Sequence, residues 1–229
     1  MNRVARDRGT TTMGHSMDRT IRLLLVDDHT LVRQGIAALI GAQGDMQIVG
    51  ECGDGTAVLD LAGQCRPDVV VLDISLPGMN GLDVCRKLTR HQARLAVLIL
   101  TMHVDPEYMA RAVRSGARGY VVKEAAADQL IQAIRTVAGG ETFWGSGADG
   151  QQSPSGRAAD DPFELLTARE RQVLQLIAEG ASNRLVAQRL GLSIKTIDTH
   201  RMRMMKKLGI HDQTRLVKYA IRKGLAPLE

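Results

Sequence analysis

Short apolar runs and amphipathic stretches alternate along the first two thirds of the chain. The runs Ile21–Val26, Val69–Leu72, Ala96–Leu100 and Tyr120–Val122 carry almost no polar residue, as expected of strands covered on both faces of a parallel sheet. Between and after them, Leu31–Ile40, Ala57–Gln64, Leu82–His91, Glu107–Ser115 and Asp128–Ala138 space their apolar residues at helical intervals. Five such repeats predict an α/β domain over residues 21–143, with helices on both faces of a five-stranded parallel sheet.

The pattern then changes twice. Gly145 to Asp161 is rich in Gly, Ser, Gln and Asp and lacks apolar periodicity, which predicts a flexible linker over residues 144–163. From residue 164 to 229 the periodicity is helical throughout. Thr167 and Glu170 form a capping box before the first helix, Gly180 and Gly191 stop the first two, Ser193 caps a third that ends before Gly209, and Asp212 opens a fourth. Two short helices joined by a Gly-containing turn suggest a helix-turn-helix unit inside an all-α, four-helix domain. Residues 1–20 are polar and aperiodic, and are expected to be a disordered extension without function.

Charge separates the two parts. Residues 164–229 hold 13 Lys plus Arg against 6 Asp plus Glu, whereas residues 21–141 hold 12 against 14. A small basic domain attached to a near-neutral one suits a polyanionic partner such as double-stranded DNA. Cys52, Cys65 and Cys85 have no metal-like spacing and leave one unpaired, so they read as reduced structural thiols. No apolar stretch approaches a membrane span and no hydrophobic signal core precedes residue 21, so a cytoplasmic protein is expected, without membrane contact.

The chemistry lies where the apolar runs end. Asp27 and Asp28 follow the first, Asp73 follows Leu72, Thr101 follows Leu100 and Lys123 follows Val122. In an open parallel sheet these ends converge on one crevice. Three crowded carboxylates repel one another unless a cation intervenes, and hard oxygen donors suit Mg²⁺. Together with the strings DISLPGMNG, Asp73 to Gly81, and SGARGYVVK, Ser115 to Lys123, they resemble the receiver domain of two-component response regulators, with its doubly wound flavodoxin-like strand order. The resemblance implies that Asp73 is the phosphoacceptor and that Asp28 binds Mg²⁺ directly. Asp27 would help through water and the Ser75 carbonyl would supply another oxygen. It further implies that Lys123 pairs with the phosphoryl group and that Thr101 and Tyr120 form the switch. The proline that often follows the lysine is replaced by Glu124, so no cis peptide is expected there. Gly53 to Gly55 is too sparse for a dinucleotide fingerprint.

In the C-terminal part, LTARERQVL from Leu166 to Leu174 and SIKTIDTHRMRMMKKLGI from Ser193 to Ile210 resemble LuxR-type domains. With the receiver they point to the NarL/FixJ class. Leu185 and Val186 depart from the usual acidic residue and isoleucine. On a helix advancing about 100° per residue, Ile197, His200, Met204 and Leu208 share an inward stripe. Lys195, Thr199, Met202 and Lys206 fall opposite, flanked by Asp198 and Arg203. If this helix enters the major groove, Lys195, Arg203 and Lys206 suit phosphate contacts, while Asp198, Thr199 and Met202 suit base edges, with Thr196 completing the candidate interface. The reading is a regulator phosphorylated by a sensor histidine kinase and binding promoter DNA as a homodimer, not an enzyme in its own right. A DNA-binding regulator without phosphate control is disfavoured by the intact acidic cluster. A haloacid-dehalogenase-type phosphatase is disfavoured because Ser75 stands where its second acid would be.

Overall fold

A computed structural model describes residues 20–104, 106–125, 127–145 and 161–226. Residues 1–19 of the expected extension and residues 146–160 of the expected linker lie outside the described residues. The first domain is β1 (Ile21–Val26), α1 (Thr30–Gly41), β2 (Met46–Cys52), α2 (Val58–Cys65), β3 (Val69–Asp73), α3 (Gly81–His91), β4 (Ala96–Thr101), α4 (Pro106–Arg114), β5 (Gly119–Val122), α5 (Ala127–Ala138) and β6 (Phe143–Trp144). The strand order is β2-β1-β3-β4-β5-β6, with every pairing parallel. The sheet thus has six strands, not the expected five. β6 is two residues long, too short for periodicity to register, and Trp144, read as the first linker residue, pairs with Tyr120.

Alternation along each strand divides the side chains between two cores. Leu24, Val26, Val70, Leu72, Val97, Ile99 and Tyr120 pack with α2, α3 and α4 on one face. Leu23, Leu25, Val69, Val71, Leu98 and Val121 pack with α1 and α5 on the other. β3 and β4 are buried at every residue, so their polar terminal residues Asp73 and Thr101 are carried into the interior edge.

The second domain is a 3₁₀ turn at Pro162–Leu165 followed by α6 (Ala168–Ala178), α7 (Asn183–Leu190), α8 (Ile194–Leu208) and α9 (Gln213–Arg222). Phe163, Leu174, Ile197, Met204, Leu216 and Ala220 are among the residues of its separate core. The Thr167 and Glu170 capping box forms in both directions. Gly191 and Gly209 adopt positive φ of 63° and 64° as left-handed helix stops, a conformation that costs glycine least.

The domains meet along a polar seam. Three receiver side chains reach carbonyls at and just past the end of α9: Tyr108 Oη donates to Arg222 O at 2.8 Å, Arg111 to Lys223 O at 3.0 Å, and Asn80 Nδ2 to Gly224 O at 2.7 Å. From α6, Arg171 pairs with Asp83 at 3.0 Å and Gln175 donates to Leu76 O at 2.6 Å. The local turn serves Tyr219, Ala220 and Ile221 O, and the neighbouring domain serves Arg222 O and the two carbonyls that follow it.

Candidate functional site

The C-terminal edge of the sheet assembles the strand-end residues. Thr101 O accepts from Lys123 N at 2.8 Å, which seats Lys123 one step beyond β5 and aims it across β4. Its Nζ then lies 2.6 Å from Asp73 Oδ2 and 2.7 Å from Asp27 Oδ2. Asp27 and Asp73 are 1% and 3% exposed, and Thr101 is fully buried. Asp28, its side chain 31% exposed, pairs instead with His29 Nδ1 at 2.9 Å. Ser75 N donates to Asp73 Oδ1 at 3.2 Å. Gly81 keeps the following loop folded against β3, because a Cβ there would lie 1.9 Å from Asp73 O.

Electrostatics follow from burial. Desolvation pushes the Asp73 carboxyl above its ordinary pKa, Asp27 adds to the rise, and Lys123 counters it only in part. Burial alone would lower Lys123, yet the Asp73 and Asp27 carboxylates outweigh it and raise its pKa, so Lys123 remains a cation. Ligand atoms of Asp27, Asp28, His29 and Asp73 lie within 4.8 Å of one another. His29 is the member that reading by strand ends passed over, since it falls one residue beyond the acidic pair.

The two expected switch residues hold one stretch of backbone from opposite sides. Thr101 Oγ1 accepts from His103 N at 3.2 Å, and Tyr120 Oη donates to His103 O at 2.7 Å. The His103 ring stacks on Tyr108 with centroids 4.0 Å apart. Tyr108 is the residue that reaches Arg222, so contacts run unbroken from Thr101 to the end of α9. Nothing local in the sequence marks His103 or Tyr108 for this position.

On α8, the inward stripe holds Ile197 and Met204 at 0% exposure, with His200 and Leu208 half-buried. Lys195, Asp198, Thr199, Met202, Arg203 and Lys206 are exposed, and Thr196 is half-buried beside the Ser193 cap. Thr199 Oγ1 donates to Lys195 O at 2.9 Å, and Asp198 accepts from Asn183 at 2.7 Å. Lys207 is committed elsewhere, at 2.6 Å from Glu170 Oε2. The outward face is therefore open to a ligand although the domains are docked. Val186 fills a core position at 0% exposure and Leu185 lies at the surface.

Residues 23–135 match the family "Response regulator receiver domain", and residues 164–220 match "Bacterial regulatory proteins, luxR family". The chain is 35% identical to the oxygen regulatory protein NreC of Staphylococcus carnosus, over 90% of this chain and 99% of that protein. A LuxR-family two-component response regulator from Aurantimonas sp. SI85-9A1 superposes with a TM-score of 0.53 at 35% identity, over 54% of this chain and 89% of that one. The RcsB response regulator of Salmonella typhimurium, described for its conformational dynamism in DNA interaction, gives 0.60 at 25% identity over 88% and 96%. Relatives that align across both domains, and two family matches that meet the two folded units, leave one assignment: the chain belongs to the two-component response regulators that join a receiver to a LuxR-type DNA-binding domain, transcription regulators controlled by phosphorylation.

Proposed function

We propose that Asp73 is the phosphoacceptor, that a histidine kinase is the donor, and that the outward face of α8 binds promoter DNA in a homodimer within the cytoplasm. The observation that carries the first part is the placement of the Lys123 ammonium between Asp73 and Asp27 at the strand ends. An ammonium 2.6 Å from Asp73 Oδ2 sits beside the place where an incoming phosphoryl group brings negative charge, and phosphoryl transfer depends chiefly on positioning and charge stabilisation. Asp73 Oδ1, the oxygen that Lys123 does not hold, attacks phosphorus. The P–O bond forms as the P–N bond of phosphohistidine breaks; the leaving nitrogen keeps the bonding pair and takes a proton from solvent. Thr101 and Tyr120, both bonded to His103, respond by repositioning the β4–α4 stretch.

The donor set fits Mg²⁺. Asp27, Asp28 and Asp73 offer carboxylate oxygens within 4.8 Å of one another, and the Ser75 carbonyl adds a fourth hard donor, as a small divalent cation requires. When bound, the cation offsets the repulsion among these carboxylates and the phosphoryl oxygens.

For DNA, Lys195, Arg203 and Lys206 supply phosphate contacts, while Thr196, Asp198, Thr199 and Met202 stand at the base edges. The hydroxyl of Thr199 donates to Lys195 O, which leaves its oxygen as an acceptor and its methyl to meet a base. No described helix is long and apolar enough to cross a membrane.

Phosphoimidazole with Mg²⁺ tests the phosphoacceptor by intact mass. One labile phosphoryl group is expected on the wild-type chain, none on Asp73→Asn, and little on either after chelation of the cation. Equal incorporation into wild type and Asp73→Asn would overturn the assignment.

A further inference from the structure

Asp198 is exposed on α8 beside Lys195, Thr199 and Met202, on a face suited to a polyanion, where phosphate repels a carboxylate. Its one hydrogen-bond donor among the described residues is the amide of Asn183, whose Nδ2 lies 2.7 Å from Asp198 Oδ1. Asn183 Oδ1 accepts in turn from Arg201 Nη1 at 3.2 Å, and Arg201 Nη2 donates to Gln213 Oε1 at 2.8 Å. Turning the Asn183 amide over would set its oxygen against the carboxylate and its NH2 against the guanidinium, so charge fixes the direction of this chain of bonds. Asn183 and Gln213 are the first residues of α7 and α9. The starts of two neighbouring helices therefore orient one acidic side chain on the third, and Asp198 Oδ2 is left to accept from a ligand.

We propose that Asp198 determines sequence specificity by accepting a hydrogen bond from cytosine N4, and that Asn183 is the positioning residue that holds it for this contact. The inference rests on the outward face of α8 binding DNA, and it names one base pair of the target, C·G. Only two groups on the base edges of the major groove donate, cytosine N4 and adenine N6. At adenine the N7 lone pair stands beside N6 and repels a carboxylate, whereas the neighbour of cytosine N4 is a C–H. Guanine and thymine turn acceptors toward it. Asp198 thus selects by exclusion as well as by attraction, and this offsets the cost of a negative charge among phosphates. The bond from Asn183 lowers the side-chain freedom that Asp198 loses on binding.

Full-length wild type, Asp198→Asn and Asn183→Ala each select from duplexes of random sequence, with and without phosphoimidazole and Mg²⁺, and affinities for the enriched and for random duplexes are then measured. Wild type is expected to enrich a C·G pair at one position, and Asp198→Asn to lose that preference by about tenfold or more while the other positions keep theirs. Having lost a negative charge, Asp198→Asn is expected to bind random duplex no more weakly than wild type. Asn183→Ala is expected to weaken the preference at the same position and to leave affinity for random duplex within about twofold. In the enriched duplex, N4-methylcytosine at that pair, which replaces the hydrogen facing the groove, is expected to lower wild-type affinity by a similar factor. A deazaguanine opposite it, which lacks N7, is expected to leave affinity unchanged. A preference unmoved by Asp198→Asn, moved at a pair other than C·G, or indifferent to N4-methylcytosine overturns the cytosine contact. So does a uniform loss of affinity for every duplex in Asp198→Asn, which would make the residue a brace between α7 and α8. An unaltered preference in Asn183→Ala overturns the positioning role. Wild type that enriches no sequence overturns instead the reading of α8 on which the inference depends.

Discussion

The receiver and the effector hold their helices by different means. Of the receiver helices with a described N-cap, α1 begins at His29 and α2 at Ala57 without a side-chain cap, and α3 alone has one, from Asn80. In the effector, Asp161, Thr167, Ser182, Ser193 and Asp212 cap the 3₁₀ turn and all four helices. The receiver has a sheet buried on both faces, and its helices form because they cover that sheet. The effector has one small core and no sheet, so more of its order is fixed locally, where each cap contributes on the order of 1 kcal/mol. A domain that must present a rigid α8 with little interior behind it gains from rules that act within four residues.

The largest test of this contrast is Leu72→Ala in β3, a fully buried side chain. It is expected to destabilise the receiver by about 3–5 kcal/mol, read by urea unfolding through the fluorescence of Trp144, the single tryptophan, in β6. Far-UV dichroism at 222 nm follows the effector as well, and its loss at the same urea concentration would show that the domains do not stand on separate cores. Thr167→Ala comes next, at about 1 kcal/mol on the effector transition alone. Its partner Glu170 sharpens the point: burial opposes the charge, but Lys207 and Thr167 hold its carboxyl below the ordinary 4.5. A lowered folded-state pKa stabilises above the unfolded value and is lost as pH falls through the folded one, so the effector is expected to weaken below pH 4.5, and Thr167→Ala to flatten that dependence. A full pH response in the variant would remove the capping box as the cause. Smallest is Lys206→Ala, expected to change stability by less than about 0.5 kcal/mol. On random duplex DNA it should lower the slope of log affinity against log salt by about 0.9. A stability loss as large as that of Thr167→Ala would mean that the outward face of α8 also supports the fold.

The same contrast explains what could be read from the chain. Strand-end residues announce themselves because Asp27, Asp28, Asp73, Thr101 and Lys123 each interrupt an apolar run, and parallel topology brings such interruptions together. The effector helices are legible because their caps are local patterns, of which Thr167 with Glu170 is the clearest. β6 escaped because two residues carry no period. The seam escaped for a different reason: Asn80 reads as a helix cap and Arg171 as a solvated charge, and only tertiary placement sets Asn80 144 residues from its partner Gly224 and Arg171 88 from Asp83. His29 escaped because it is polar in a polar turn.

The composition of the seam also determines how it responds to heat. Most of its contacts end on backbone carbonyls, amides or carboxylates, which water serves as readily as the opposite domain does. Apolar side chains enter it at two places: Phe163, 2% exposed and flanked by the guanidinium groups of Arg111 at 4.7 Å and Arg171 at 5.0 Å, and the strip of Leu76, Pro77, Ile221, Leu225 and Ala226. Parting the domains therefore rehydrates polar groups and uncovers far less hydrocarbon than unfolding either core does, and it is hydrocarbon exposure that gives unfolding its large heat capacity. The balance between docked and parted chains accordingly bends less with temperature than the stability of either core does.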